Sequence, residues 1–389
     1  MSKNNQKTSR FPSLSHLLPW ALLLLFGAAA GYLGAMLVDR MGLTGGGIAA
    51  MVLGLAAGFF VQLVLHEGGH LAAGLAAGYG FVSFRVGSWM VIRRAGRLRL
   101  VRYRLSGTGG QCLLSPPPWR EKGFPVFAYN LGGPLANLLV SALCLGGGWL
   151  CREGSPFFAA VLVGIAVMGL YLGLTNGIPM KIGGMPNDGY NALCLRNDLA
   201  AQWAIWAQLA INAAQMEGRR LGEIPEDWFA LPGGAGPDDP LKGAVWVYRY
   251  SRLVDQGRYQ EAGALREQLL AESGRLAAVH RYALEADEGL FDLLEGRTEQ
   301  GLKRLNSPEI QAFCRQMKGN PGIVLVQYGA ALAAGKTREA GRLRAQLEKD
   351  LEAWPYAGDA AATRELLAWA EEKLCKSVTE SDEKICHTE

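Results

Sequence analysis

The sequence predicts a mainly α-helical protein, in which a polytopic membrane helix bundle of about four spans carries a small β-hairpin at its cytoplasmic face. A soluble α-helical repeat domain follows. Three observations predict this fold class. Charged residues make up 19% of the 389 residues but are almost absent from four long stretches of the first half. An arginine-rich segment between two of these stretches alternates polar and apolar residues, and the second half is charged and alanine-rich with evenly spaced glycine-centred turns.

The four uncharged stretches are each long enough to cross a bilayer, which takes about 20 residues of helix. They run from Pro19 to Val38, from Met41 to Leu65, from Gly123 to Cys151 and from Gly154 to Met180; the second leads straight into HEGGH, and its apolar run continues to about Phe84. The first stretch is also compatible with a cleaved signal peptide, since three alanines at 28–30 offer a small-residue cleavage site. We favour a membrane span, because the apolar run continues past these alanines and further spans follow.

The segment 81–122 contains nine basic residues and one acidic residue. Alternation in Arg97-Leu-Arg-Leu and Arg102-Tyr-Arg-Leu predicts strands, with Ala95-Gly96 as a hairpin turn. One face would carry arginine and the other apolar residues, which suits the surface of an anionic bilayer, although a solvated hairpin remains an alternative. The positive-inside rule places this segment, the N-terminal tail and everything after Lys181 in the cytoplasm of a multi-pass cell-membrane protein.

The remainder of the chain is predicted to be soluble and helical. Residues 199–214 are apolar but short, so we expect an interfacial helix rather than a fifth span. Glycine-centred turns recur 39 residues apart at Gly257, Gly296 and Gly335, resembling tetratricopeptide-type helical hairpins; an irregular helical domain is the alternative. The predicted domains are a tail (1–18), a membrane domain (19–198), an interfacial helix and Gly/Pro-rich linker (199–240), a helical repeat domain (241–376) and a polar tail (377–389).

The candidate metal-binding and catalytic residues lie in the sequence His66-Glu67-Gly68-Gly69-His70, within the apolar run of the second stretch. Two histidines four residues apart lie on one face of a helix, so both imidazoles can reach one metal ion, and zinc suits them. The glutamate beside them can take a proton from an attacking water. Two structural core histidines are the alternative, but unpaired polar groups are costly in a membrane helix.

A third metal ligand is expected among the carboxylates between residues 70 and 196, which are Glu121, Glu153 and Asp188. Glu153 falls in the outer connection, on the opposite side from the histidines. Glu121 lies on the correct side but between two basic residues that neutralise it. Asp188 follows the inner end of the fourth span, so the topology favours Asp188, with Glu121 as the next candidate.

At this point the sequence resembles the site-2 protease family of intramembrane zinc metalloproteases over residues of about 45–195. The resemblance rests on HEGGH at 66–70, Gly-Pro-Leu-Ala-Asn at 133–137, Asn-Gly-Ile-Pro at 176–179 and the Asp-Gly pair at 188–189. It implies one Zn²⁺ per chain bound by His66, His70 and Asp188, with Glu67 as general base. It also implies a catalytic role for Asn176 near the substrate carbonyl. Asn130 and Asn137 are interpreted as helix-packing residues.

The predicted function is therefore hydrolysis of a peptide bond in a membrane-associated protein or peptide substrate. The lipid bilayer is the expected surroundings, a protein partner is possible on the C-terminal helical domain, and no nucleic-acid partner is expected. A catalytically idle membrane scaffold acting through its helical repeats is the alternative, and a transporter with a structural metal is another. The seven cysteines are scattered, so they indicate neither a disulfide framework nor a cysteine-based metal site.

Overall fold

A computed structural model of the 389-residue chain describes residues 14–40, 42, 45–104, 108–120, 123–182 and 185–386. The chain divides into two compact units, of which the first comprises residues 1–78 and 125–197 and the second comprises residues 79–124 and 198–389. The described residues are mostly helical, as predicted, and they include a small antiparallel sheet of which the sequence predicted only a hairpin. The domain boundaries predicted from the sequence stay predictions.

The described elements follow one another along the chain in this order. The first half contains α1 (Leu14–Arg40), α2 (Gly45–Ala76), β1 (Gly80–Val86), β2 (Trp89–Arg94), β3 (Arg97–Arg102), β4 (Gly110–Ser115), α3 (Val126–Cys151), α4 (Pro156–Gly177), β5 (Lys181–Ile182), β6 (Met185–Pro186) and α5 (Asp188–Leu193). The second half contains α6 (Leu199–Met216), α7 (Pro240–Asp255), α8 (Tyr259–Ala271), α9 (Ala278–Leu294), α10 (Thr298–Leu305), α11 (Pro308–Gln316), α12 (Pro321–Ala333), α13 (Thr337–Ala353) and α14 (Ala357–Cys386).

Four helices of the first unit are long and apolar enough to cross a membrane, in agreement with the number of predicted spans. Their apolar stretches are Trp20–Arg40, Gly46–Ala76, Val126–Cys151 and Pro156–Gly177. The second of these carries HEGGH near its C-terminal end. A sequence that is apolar around the whole helix is typical of a helix whose outer surface contacts lipid.

Glycines allow α2 to lie unusually close to its neighbours α3 and α4. A β-carbon built on Gly54 would lie 2.2 Å from the main-chain oxygen of Val161, and one built on Gly164 would lie 2.2 Å from the main-chain oxygen of Met51. No side chain fits at such a distance, so the backbones of α2 and α4 are in direct contact there. Helix α2 also packs against α3, and α3 packs against α4, so the helix that carries HEGGH belongs to a group of three mutually packed helices.

The second unit contains an antiparallel sheet with the strand order β3-β2-β1-β4. The predicted hairpin is present, and its turn residues Ala95 and Gly96 have φ values of 50° and 75°, as a two-residue hairpin turn requires. Strands β1 and β4 were not predicted, and the strand predicted for Arg102-Tyr-Arg-Leu is wrong at Tyr103 and Arg104, since β3 ends at Arg102. Side chains alternate along β3: Leu98 and Leu100 lie on one face and are exposed, while Arg97 and Arg99 lie on the other. Arg102 shares the face of Leu98 and Leu100, so the predicted separation into an arginine face and an apolar face is incomplete.

Helix α6 packs against β4 and α7, and most of its residues are buried within the second unit. This burial leaves little of its apolar surface for the bilayer interface that we expected it to occupy. Residues 232–240, the Gly/Pro-rich segment that we interpreted as a linker, are preceded and followed in the chain by residues of the second unit. It is held by Lys242, which pairs with Asp198 at 3.1 Å and with Asp238 at 3.3 Å.

The glycine-centred turns of the C-terminal region each join two helices. Gly257, Gly296 and Gly335 have φ values of 69°, 82° and 68°, which only glycine adopts readily, and they lie directly after α7, α9 and α12. The turns therefore lie where the 39-residue spacing predicted them. The tetratricopeptide-like repeat architecture itself stays a prediction.

Candidate metal site

Helix α2 brings both histidines of HEGGH to one point. His66 and His70 are one helical turn apart and buried, and their Nε2 atoms lie 3.1 Å from each other. Glu67 is also buried, with 8% of its surface exposed, and its carboxylate is close enough to His70 to interact with it electrostatically. The three polar residues of the motif are thus concentrated inside an otherwise apolar helix.

Asp188 completes the cluster from the start of α5. Its Oδ2 atom lies 3.2 Å from His66 Nε2 and 3.4 Å from His70 Nε2. Among the described residues, these three side chains are the one group of histidine, cysteine and acidic residues whose donor atoms are close enough to hold a metal ion. The structure therefore brings together the two histidines and the carboxylate that the sequence singled out.

The position of Asp188 is fixed by its two neighbours in the chain. The Asn187 side chain caps α5 by accepting a hydrogen bond from Tyr190 N at 2.9 Å, and it donates to the main-chain oxygens of Thr175 and Ile178 at 2.8 Å and 2.7 Å. A β-carbon on Gly189 would lie 2.1 Å from the main-chain oxygen of Gly177, so only glycine permits this contact between α5 and the end of α4.

Hydrogen bonds on the outer side of each imidazole define which ring nitrogen carries hydrogen. His70 Nδ1 lies 2.7 Å from the main-chain oxygen of Tyr129, which can only accept. His66 Nδ1 lies 2.6 Å from Asn137 Oδ1, which also accepts. In the neutral rings both Nδ1 atoms are therefore donors, and both Nε2 atoms present lone pairs to Asp188.

Three electron-pair donors thus meet at 3.1–3.4 Å without a hydrogen between them when the imidazoles are neutral. Such an arrangement is repulsive unless a positive charge lies among the three atoms. A metal ion satisfies all three at once, and the outer hydrogen bonds are the arrangement that metal-binding histidines usually have. The residues present therefore fit a metal ion.

Gly133 on α3 keeps the space beside the imidazoles open. A β-carbon at this position would lie 2.5 Å from His70 Nε2 and 2.8 Å from His66 Nε2. Any side chain here would occupy the space in front of the two metal-binding nitrogens. Glycine at residue 133 therefore leaves room next to the ligand atoms, as an ion and an incoming substrate require.

Asp188 is ionised at neutral pH. Burial raises the pKa of its carboxyl, but when the two imidazoles are protonated, the hydrogen bonds and positive charges of His66 and His70 outweigh this effect and hold the pKa at about 2. A bound cation would supply the positive charge in place of those protons. Metal ligands must be deprotonated, so a carboxylate that is ionised over the physiological range is suited to binding a cation.

Asn176, which the sequence analysis considered, is not part of this cluster. Asn176 is half-buried near the end of α4, and its amide donates to the main-chain oxygen of Leu172 at 3.0 Å, within its own helix. Its predicted role near the substrate carbonyl stays a prediction. Glu121, the other candidate for the third ligand, lies outside the described residues.

Sequence analysis missed the residues that surround the ligands. Asn137 and Gly133 belong to the Gly-Pro-Leu-Ala-Asn motif, which we noted, but their contacts with the histidines depend on how α3 crosses α2. Asn187, which directly precedes Asp188, was given no role. Gln62, one turn before His66, was not noted, although a polar residue in an uncharged span was a signal that could have identified it.

A scan against protein-family models, a search of the curated proteins and a search of the solved structures each found no match to this chain. A functional assignment therefore depends on the geometry and chemistry of the site itself.

Proposed function

We propose that this protein is a membrane-embedded zinc metallopeptidase of the site-2 protease type, which hydrolyses a peptide bond in a membrane-associated protein or peptide. The observation that carries this proposal is the convergence of His66 Nε2, His70 Nε2 and Asp188 Oδ2 within 3.4 Å of one another. Two of these ligands belong to a helix that is long and apolar enough to cross a membrane.

The donor set favours zinc over magnesium and calcium. Zinc binds imidazole nitrogen and carboxylate oxygen at about 2.0–2.2 Å in a tetrahedral arrangement, so its ligand atoms lie about 3.3 Å apart. The three distances of 3.1, 3.2 and 3.4 Å agree with this spacing. Magnesium and calcium prefer sites made of oxygen atoms alone. Three protein ligands with a fourth position open are typical of catalytic rather than structural zinc.

Glu67 is the proposed general base. It follows His66 directly and interacts with His70, so it is beside the ligands without being one of the three. A bound zinc ion would supply Lewis-acid activation of water and of the scissile carbonyl. Glu67 accepts the proton of the attacking water and delivers it to the leaving amine. The open space at Gly133 is where we expect the scissile peptide to approach.

The surroundings of the site indicate the class of substrate. The ligands are buried among apolar helices, so a substrate that is itself in the membrane reaches them most directly. A transmembrane helix hides its carbonyl groups in hydrogen bonds, and it must unwind locally before the peptide bond is exposed. By the positive-inside rule, we propose that the arginine-rich segment 81–122 and the second unit face the cytoplasm.

The proposal is tested with Glu67→Gln, which removes the base but none of the three ligands. We expect the variant to keep its zinc and to lose about 10²–10⁴-fold in peptidase activity, while still binding its substrate. Substrates that remain bound to the purified variant are identified by mass spectrometry and then offered to the wild-type enzyme in proteoliposomes.

Cleavage of a trapped protein by the wild type, but not by Glu67→Gln with equal zinc content, is the expected result. The catalytically idle scaffold predicts the opposite outcome, in which trapped proteins stay intact with both forms. Equal cleavage by both forms would remove Glu67 from the mechanism.

A further inference from the structure

A line of buried amide groups leads from the middle of α2 to the imidazole of His66. Asn137 on α3 has no exposed surface, and its Oδ1 atom lies 2.6 Å from His66 Nδ1. Its Nδ2 atom donates to both the main-chain oxygen and the side-chain Oε1 of Gln62, each at 2.8 Å. Gln62 is equally buried, and its Nε2 atom donates to the main-chain oxygen of Ile165 on α4 at 3.3 Å.

This arrangement leaves the Asn137 amide only one orientation. Both atoms on the Gln62 side are oxygen acceptors, so the amide nitrogen must point toward Gln62. The amide oxygen then points toward His66 and can only accept, which requires hydrogen on Nδ1. The lone pair of His66 is consequently on Nε2, the atom beside Asp188 and His70. In the reversed orientation the Asn137 Oδ1 atom would face the two acceptor oxygens of Gln62.

We propose that Asn137 is a positioning residue for His66, and that Gln62 acts through it by holding the Asn137 amide in the required orientation. The proposal rests on the metal site proposed above, and it gives a role in that site to two residues that do not touch the metal. Partners of this kind fix the tautomer and the ring direction of metal-binding histidines, and their loss typically weakens metal binding by about 10–100-fold.

A packing role alone does not require this geometry. Asn130 lies on the same helix, two turns before Asn137, and is also buried. Its amide nitrogen donates to the main-chain oxygen of Val126 at 2.8 Å, within its own helix. Of the two asparagine side chains, only that of Asn137 forms a hydrogen bond with a histidine of HEGGH. Asn130 provides a matched control of the same residue type.

The test measures zinc affinity of the full-length chain in detergent, by competition with a chromogenic chelator after the metal has been removed. Asn137→Leu keeps the approximate size of the side chain and removes the acceptor, so we expect about 10–100-fold weaker binding. Asn137→Asp retains an acceptor toward Nδ1 whether it is ionised or donates its own hydrogen to Gln62, so we expect affinity close to wild type. Gln62→Leu should show part of the loss, and Asn130→Leu should bind zinc like the wild type.

Cobalt substitution gives a second readout, because the visible spectrum of bound Co²⁺ responds to ligand geometry. Saturated Asn137→Leu should show an altered spectrum, while Asn130→Leu should match the wild type. Wild-type zinc affinity in Asn137→Leu, or an equal loss in Asn137→Leu and Asn130→Leu, would overturn the positioning role. If Asn137→Leu does not fold, Gln62→Leu decides the question: weaker binding supports the proposal and unchanged binding overturns it.

Failure of this proposal is distinguishable from failure of the proposed function. His66→Ala serves as the reference: if this variant retains wild-type zinc affinity, the metal site itself is wrong and the positioning role is overturned with it. If His66→Ala and Asn137→Leu both lose zinc affinity but the wild-type protein has no peptidase activity, the positioning role of Asn137 is supported and the proposed peptidase function is wrong.

Discussion

A side chain at Gly69 would collide with the backbone at Gly132: a β-carbon built on Gly69 lies 2.2 Å from the main-chain oxygen of Gly132. The converse distance, from a β-carbon on Gly132 to the main-chain oxygen of Gly69, is 2.4 Å. Helices α2 and α3 therefore touch through their backbones immediately before His70. The neighbouring Gly68 differs, since a β-carbon there meets no atom within 4 Å.

We expect the two glycines of HEGGH to respond differently to the same substitution. Gly69→Ala forces α2 and α3 apart, which should destabilise the protein by about 1–3 kcal/mol and lower its zinc content. Gly68→Ala adds a methyl group in open space, and alanine favours a helix by about 1 kcal/mol over glycine, so stability and zinc content should be preserved. Thermal unfolding and metal analysis of both purified variants measure the difference. Equal behaviour of the two variants would contradict the close crossing of α2 and α3.

Gly133→Ala should remove metal binding. The added methyl group would lie 2.5 Å from His70 Nε2, so either the imidazole turns away or α3 shifts. Gly146→Ala is the control on the same helix, because a β-carbon there meets nothing within 4 Å. We expect zinc content well below one per chain in Gly133→Ala and unchanged zinc content in Gly146→Ala. A fully loaded Gly133→Ala variant would show that this glycine does not border the metal.

Asp287 on α9 should give the helical region a pH-dependent stability. Burial raises the pKa of its carboxyl to about 6, against the opposing effect of the Arg266 charge and of the neighbouring Tyr250. The folded protein therefore retains a proton that the unfolded chain, with a pKa near 4, releases. This contribution is fully present below about pH 4 and is lost as the pH rises through about 6.

Asp287→Asn removes the titration, so its stability relative to the wild type should depend on pH. We expect little difference at pH 4 and a gain on the order of 1–3 kcal/mol at pH 7, where the wild type must bury a charge. Thermal unfolding of the two full-length proteins across this pH range measures the difference in their stability. A gain of the same size at pH 4 and pH 7 would show that the substitution acts through packing.

The orientation proposed for the chain predicts which side of the membrane each loop occupies. A cysteine at position 95, in the turn between β2 and β3, should be protected from a membrane-impermeant maleimide in intact cells and labelled after permeabilisation. Ala95→Cys is made in a cysteine-free background, and Glu153→Cys between α3 and α4 is the control that should be labelled from outside. The reverse pattern would invert the topology.

Most of the features that the sequence predicted correctly depend on residues that are close together in the chain. The apolar helices, the hairpin turn at Ala95-Gly96 and the spacing of His66 and His70 all follow from residues close together in the chain. Asp188 was predicted from topology, because the positive-inside rule predicts few carboxylates on the same side of the membrane as the histidines. Local patterns of this kind do not depend on how distant helices pack.

The residues that sequence analysis missed depend on long-range packing. Asn137 was interpreted as a helix-packing residue, yet it contacts His66 because α3 crosses α2 at Gly69, and no periodicity along α3 specifies that crossing. The apolar sequence of α6 fits both a membrane interface and a protein core. Only the position of the sheet beside it shows that most of this surface is covered by protein.

The zinc content of three purified proteins tests the central claim most directly. The wild type should bind about one zinc ion per chain. Asp188→Ala removes the carboxylate that lies 3.2 Å from His66 Nε2, and it should bind well below one equivalent. Glu153→Ala, which removes an exposed carboxylate between α3 and α4, should keep the wild-type content. A wild type that binds no zinc when zinc is supplied, or an Asp188→Ala variant that retains a full equivalent, would contradict a metal centre formed by His66, His70 and Asp188.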